Sequence, residues 1–448
     1  MAARLAIERG DALQAEYHAR NAVSLAPHLE EGWMLLARAA YIQELYEEAF
    51  THYEQLITLN PENHRAWFAR GVLAARKGDT ARAYSSWERA QRIRPDYELA
   101  GIARESILIR EEPLDSELRA AAARAYRRSG RELEARFLHR QAERHYRRGL
   151  QISPFDTVLR RNLADLYLAQ GLWGRYLQEL EILVDMGVSD RDVRERIETY
   201  RMLRRDSLAD RWEVDQFTAP RARSRVAIFY RQDLQTLEPG AGGFVADYLA
   251  SLLRTSQNIS ITMVREGFED PVQSLAAARR EEAQLVLLLE ARVAEHQVAL
   301  EAQLLEQQTG SELFSRTVVR DGVGRLERAL RDLAGEVAAR ITPVGTVLDR
   351  RFETVLISLG TIDGLELEDE ILFRSAPRGE RIGSGTVTAL DDLLAEVRYV
   401  PEGPDTLTIG RYSMGAPEAD PVETPPPPAE AEHLSRVHEL LKHLFRLP

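Results

Sequence analysis

The residues able to do chemistry are few, and their spacing works against it. His433, His438 and His443 follow one another at intervals of five. On a helix of 3.6 residues per turn each step rotates by ~140°, so the three cannot share one ion. His139 and His145 are six apart, about 600° of helix, which places them on opposing faces. The adjacent carboxylates of Asp391-Asp392 diverge in any regular element. Gly240-Ala-Gly-Gly243 ahead of a helix could cradle a phosphate on backbone N–H groups. It stands ten residues beyond Tyr230, whereas a dinucleotide turn follows its strand at once, and no Lys-Ser or Lys-Thr comes after it. A loop and helix cap is the plainer reading. His-Glu-x-x-His and Gly-x-Ser-x-Gly are both missing. With no cysteine there is no thiolate nucleophile, disulfide or Cys-based zinc site. Lys77 and Lys442 are the only lysines, which removes most lysine-dependent chemistry. The expectation is a non-enzymatic chain that needs no cofactor and no metal.

What remains is the scaffold that would position such residues. A length of 448 residues predicts two to four domains. The longest aliphatic run, Leu285 to Leu289, is far short of the ~20 apolar residues of a membrane span. A net charge of −12 argues against nucleic acid, which is held by a clustered positive field. Pro27, Pro61 and Pro95 lie 34 apart, as do Trp33 and Trp67. Within that period Ala37, Ala49 and Tyr53 of one unit correspond to Gly71, Ala83 and Trp87 of the next. Small residues let paired helices approach, large ones fill the gap to the neighbour, and proline closes the second helix. The pattern resembles the tetratricopeptide repeat. Its register puts Met1 inside a repeat, so the native start is expected upstream. A helical array is expected over 1–213. It contains a helix pair broken at Gly130 (116–130 and 131–152), another pair over 157–184, and a charged capping helix over 190–212.

The resemblance implies a concave groove for a peptide or helix, at positions occupied here by Met34, Arg38, Tyr41, Arg65, Phe68 and Val72. That is an apolar trough with two arginines, suited to an amphipathic segment carrying a carboxylate. The same residues could equally pack the next repeat. The lysine- and asparagine-rich clamp of chaperone-binding arrays is missing.

After a Pro/Arg/Ser linker at 218–224, periodicity predicts the order β-α-β-α-β-β-β-α, a mixed sheet with helices packed on it, over 225–342. The opening Val226-Ala-Ile-Phe, the strand at Ala283-Gln-Leu-Val-Leu, the Thr309-Gly310 turn and the closing helix with Leu326, Leu330 and Leu333 resemble a bacterial envelope family. It comprises the N-terminal domain of TolB, the curli-secretion lipoprotein and lipoprotein activators of peptidoglycan synthases. Over 343–414 short strands alternate apolar and polar residues, as at Val355, Ile357 and Leu359, and predict a small barrel of five or six strands. A strand ending in Leu359-Gly360, then Asp363-Gly-Leu, Asp369-Glu-Ile-Leu and Gly383-Ser-Gly-Thr-Val resemble the C-terminal domain of the flagellar assembly protein T, with Glu368-Asp369 in place of its usual Gly-Asp.

A Pro/Glu-rich linker at 415–432 cannot build a core. It leads to an amphipathic helix over 433–447 whose stripe includes Leu434, Val437, Leu441 and Leu444. So short a helix needs a surface to cover it, on this chain or on a partner. The fold class expected is therefore a multidomain one: an all-α array, an α/β unit, a small all-β barrel and a terminal helix. The resemblances imply a protein-binding scaffold or assembly factor of the periplasm or cell envelope, with the flagellar motor as one setting. The alternatives are a regulator of a cell-wall enzyme or a cytosolic adaptor. Partners are expected to be proteins or peptides, without nucleic acid.

Overall fold

The repeated Trp and Pro have a direct structural cause. Trp33 Nε1 donates to the Pro27 carbonyl at 2.7 Å and Trp67 Nε1 to the Pro61 carbonyl at 2.8 Å, so each indole ties a helix to the turn before it. The computed structural model describes residues 1–188, 190–203, 207–216, 219, 221–231, 240–256, 258–267, 271–293, 297–375, 380–409 and 413–415. Helical hairpins follow one another: α1 (Ala2–Glu8) with α2 (Ala12–Leu25), α3 (Glu30–Ile42) with α4 (Tyr46–Leu59), and α5 (His64–Arg76) with α6 (Thr80–Ile93). Asp11, Asn63 and Asp79 accept from the third backbone N–H beyond them and so start α2, α5 and α6. Gly71 gives room for Trp87: a Cβ there would stand 2.3 Å from the indole nitrogen. The array continues through α7 (Glu98–Arg110), α8 (Glu117–Ala135), α9 (His139–Ile152), α10 (Thr157–Ala169), α11 (Trp173–Asp185), α12 (Arg191–Leu203) and α13 (Leu208–Trp212).

Two expectations for the array need correction. Gly130 does not end a helix; α8 runs through it to Ala135. A Cβ at 130 would sit 2.3 Å from the Tyr146 ring, so this glycine serves the approach of α9. The charged cap over 190–212 is two helices, and the second, α13, is not a solvated end, because Leu208 and Trp212 are buried against the barrel described below.

The next unit is β1 (Ser224–Arg231), α14 (Ala241–Leu253), β2 (Ile259–Glu266), α15 (Pro271–Arg280), β3 (Leu285–Val293), β4 (Gln297–Glu306), β5 (Glu312–Asp321) and α16 (Arg325–Arg340), in the order the periodicity predicts. The sheet runs β2-β1-β3-β4-β5, with β1 parallel to β2 and β3 and the remaining pairs antiparallel. Alternation along β1 sends Val226 and Ile228 into the core shared with α14, α16 and the array, and Ala227 and Phe229 into a smaller core under α15. Burial on both faces explains the unbroken apolar run of β3.

The last unit is β6 (Val344–Arg351), β7 (Thr354–Ile357), β8 (Glu370–Arg374), β9 (Arg381–Leu390), β10 (Ala395–Pro401) and β11 (Ser413–Gly415). They form an antiparallel sheet that curls and closes in the order β10-β7-β6-β11-β8-β9. Its core holds Val347, Ile357, Ile371 and Val397 around Phe373 and Tyr399, whose rings meet edge-on at 5.0 Å. Apart from Gly415, the linker expected over 415–432 lies outside the described residues. So does the helix over 433–447 with Leu434, Val437, Leu441 and Leu444.

Gly360 shows why a strand here ends in Leu-Gly. Its φ of −148° is open to any residue, but a Cβ would fall 2.3 Å from the Asp392 carbonyl oxygen and 2.5 Å from that of Asp391. Backbone cannot yield as a side-chain tip can. Gly360→Ala is therefore expected to push the β9–β10 turn outward and lower unfolding free energy by about 2–3 kcal/mol, read from urea denaturation. An unchanged midpoint would mean that the turn moves freely.

Candidate functional site

Helix α7 is enclosed on several sides, with Leu99, Ala100, Ile102, Ala103, Ile107 and Leu108 buried together with Glu105 and Ser106. Part of its cover is α14, the first helix of the α/β unit, which lies in the concave face of the array. Phe244 of α14 meets Trp87 edge-on at 5.2 Å and Phe68 at 6.3 Å. Gly240, at the N-cap of α14, comes so close that a Cβ on it would stand 2.9 Å from Val72 Cγ1 and 3.4 Å from Tyr41 Oη. The Gly240–Gly243 stretch thus caps a helix docked on protein, in keeping with its reading as a cap.

The six residues expected to line a partner groove differ in exposure. Arg38, Tyr41, Phe68 and Val72 are buried, while Met34 and Arg65 are half-buried. At Tyr41, Phe68 and Val72 the groove positions face Gly240 and Phe244 of the same chain. Beside them Arg76 donates to Tyr41 Oη at 3.2 Å and to Tyr46 Oη at 3.0 Å and stacks 4.7 Å from the Tyr46 ring. Burial raises the Tyr41 hydroxyl above its ordinary pKa, against the pull of Arg76. Burial, with Glu266 and Asp247, pushes Tyr230 beside it up to about 12.

Behind this apolar contact lies a buried charge cluster that motif reading missed. Glu105 of α7 pairs with Arg148 of α9, and both are almost wholly enclosed. Tyr126 Oη donates to Glu105 Oε2 at 2.6 Å. The Arg148 guanidinium lies 4.4 Å from the Tyr248 ring of α14 and donates to Ser251 Oγ, and Gln151 Nε2 donates to the Ser251 carbonyl at 3.0 Å. Burial raises the pKa of the Glu105 carboxyl, with Arg148 and Tyr126 opposing the rise. One signal was available in the sequence: Glu105 falls among the apolar positions Ile102, Ala103, Ile107 and Leu108 of α7.

Further polar ties fix the orientation. Asp247 Oδ2 accepts from Ser106 Oγ at 2.9 Å and pairs with Arg110 at 3.0 Å. Glu98 of α7 accepts from the Glu327 backbone N–H at 2.8 Å and so satisfies an orphan donor in the first turn of α16. His145 stands 5.7 Å from the Tyr126 ring, and burial holds its pKa below the ordinary 6.5, with Glu327 opposing and Arg331 and Arg144 reinforcing the shift. A depressed folded pKa stabilises above the unfolded pKa, and that stability is lost as pH falls through the folded value. His145→Gln is therefore expected to flatten the fall of the melting temperature between about pH 7.5 and 5.5. An unchanged slope would contradict this.

The barrel docks on the other end of the array through the pair Asp391-Asp392. The two side chains diverge, as adjacent residues must, and each finds a helix. Asp392 Oδ2 accepts from the Gly174 N–H in the first turn of α11 at 2.6 Å, and Asp391 Oδ2 from the Leu208 N–H at the start of α13 at 2.8 Å. Trp212 Nε1 donates to Glu396 at 3.0 Å, and Arg221 donates to the Leu393 carbonyl at 2.7 Å. Among the described residues no group of three His, Asp or Glu side chains could hold a metal, and no helix is long and apolar enough to cross a membrane.

Residues 223–339 match the model of a family named TPASS_0648, as its second domain. No curated protein matches the chain in sequence. YrrB, described as a TPR protein with an unusual peptide-binding site, is 15% identical over 44% of this chain and 88% of its own, with a TM-score of 0.25. MamA is 15% identical over 40% and 90%, with a TM-score of 0.20. PelC of Paraburkholderia phytofirmans is 19% identical over 28% and 91%, with a TM-score of 0.22. Residues 30–73, which hold Trp33, Trp67 and the groove positions Met34 to Phe68, match the tetratricopeptide-repeat model, and this part of the helical array is thus built of tetratricopeptide repeats.

Proposed function

We propose that the protein is a non-enzymatic scaffold of the bacterial cell envelope that assembles protein partners at the flagellar motor. In this reading the array (1–213) holds the α/β unit (225–342) and the barrel (343–414) in one arrangement and presents their outer faces. The observation that carries it is the use of the groove. A repeat surface of a kind that takes helices is occupied by α14, and a buried ion pair lies behind the contact. Such a joint fixes geometry and leaves partner binding to surfaces outside it. Support for the envelope comes from the absence of cysteine and from the resemblance of the two later units to envelope and flagellar families.

The test is crosslinking of a tagged full-length chain in its native host, with cell fractions kept apart and the co-purifying proteins identified. Basal-body components in the periplasmic fraction are expected. Exclusively cytosolic partners would overturn the envelope reading, and turnover of any substrate by the purified chain would overturn the non-enzymatic one.

A further inference from the structure

Where the three units meet, a cleft of about 510 Å³ opens between α9, α11, the ends of α14 and α16, and the turn before β8. That is within the range of small-molecule sites. Its charge is out of keeping with a protein of net charge −12. Arg140, Arg144 and Arg147 are spaced i, i+4, i+7 along α9 and share one face, and Arg175 of α11 joins them. Glu143 and Asp363 are the carboxylates of the lining, and both are already engaged. Glu143 Oε1 takes Arg147 and Arg175, each at 2.9 Å, and Asp363 lies 3.7 Å from Arg221, outside the lining.

Arg140 and Arg144 make no hydrogen bond or ion pair with any described residue. Arg144 is held below its ordinary pKa, first by burial and then by the neighbouring guanidiniums of Arg331 and Arg140, against Glu143 and Glu327. Arg175 Nε is buried and makes no hydrogen bond. The two helix C-termini that end here each offset roughly half a charge, and Arg147 already caps one by donating to the Thr255 carbonyl at 2.6 Å. A surplus of about one to two positive charges is left in a concave site. Ser256 and Asn258 add polar groups to the opposite wall.

The geometry points to a binding site for a phosphate-bearing anion of two or more charges, held by the forks of Arg140 and Arg144 with Arg175 at the base. Planar guanidiniums grip phosphate oxygens in pairs. The source is either a soluble diphosphate or a phospholipid headgroup, and two arms separate them. Calorimetry of the full chain with inorganic pyrophosphate at about 0.1 M salt reads the first. Co-sedimentation with phosphatidylglycerol–phosphatidylcholine vesicles, against phosphatidylcholine alone, reads the second.

Saturable binding in at least one arm is expected, weakened about 10-fold or more in Arg140→Ala/Arg144→Ala. Arg128→Ala/Arg131→Ala, on the separate basic face of α8, should bind like the parent. Loss of pyrophosphate binding assigns a soluble ligand, and loss of vesicle binding alone assigns a headgroup. The single variant Arg140→Gln, at an exposed position, repeats the reading if the double variant melts early. No saturable binding in either arm, or equal loss in the α8 variant, overturns the site. Neither outcome touches the scaffold reading, which does not depend on this cleft.

Discussion

Arg148→Ala is expected to lower the free energy of unfolding by about 3–5 kcal/mol, because it leaves the Glu105 carboxylate buried without a counter-charge. The same change removes the guanidinium from the Tyr248 ring and from Ser251, so it loosens α14 and the array together. Replacing both partners with neutral residues of similar volume, as in Glu105→Gln/Arg148→Met, should recover most of the loss, since an apolar or neutral pair has no stranded charge. The pH dependence carries a sign. Burial places the folded pKa of Glu105 above its ordinary 4.5, so its contribution is full below the unfolded pKa and lost as pH rises through the folded value. Removing Arg148 raises the folded pKa further, and the deficit of the alanine variant should therefore shrink on acidification. Urea denaturation at two pH values reads both effects. A loss below about 1 kcal/mol at neutral pH would show that the carboxyl reaches water or a proton at little cost, and that the cluster does not hold the joint.

Trp87→Ala should cost about 3–5 kcal/mol. The indole is fully buried, its Nε1 donates to the Phe68 carbonyl at 3.0 Å, and its ring meets both Phe68 and Phe244. What distinguishes this residue from an ordinary core tryptophan is that one of those neighbours belongs to the α/β unit. A double-mutant cycle with Phe244→Ala is expected to give a coupling of about 0.5–1.5 kcal/mol, the size of an edge-on aromatic pair. Additive losses would mean that α14 does not lean on Trp87 in solution.

Local patterns carried most of the architecture. The Trp–Pro period reads out a hydrogen bond spanning six residues, and the strand and helix order of residues 224–340 follows from apolar spacing within each element. Gly360 was visible as part of a motif, though its cause, the Asp391 and Asp392 carbonyls, was not. Gly130 was misleading because a small residue marks both helix ends and close helix crossings, and only the partner, Tyr146, tells them apart. The groove was legible and its occupant was not. Nothing near Phe68 in sequence indicates that Phe244 will lie against it, since the pairing depends on how complete units settle on one another. Adjacent in sequence, the Asp391 and Asp392 carboxylates diverge and cannot act as a catalytic pair. That same divergence lets them hold two different helices.

The internal filling of the groove also sets an order of events at the ribosome. Ser106 and its partner Asp247 are 141 residues apart, so at roughly 5–20 residues per second α7 is made about 7–30 s before the residue of α14 that pairs with it. Until α14 is made, Tyr41 and Val72 lack the cover of Gly240, and Phe68 that of Phe244. A nascent chain in this state, or one cut short before residue 241, is the form most open to capture by a foreign helix and to aggregation. Quality control of this protein therefore turns on whether synthesis reaches α14.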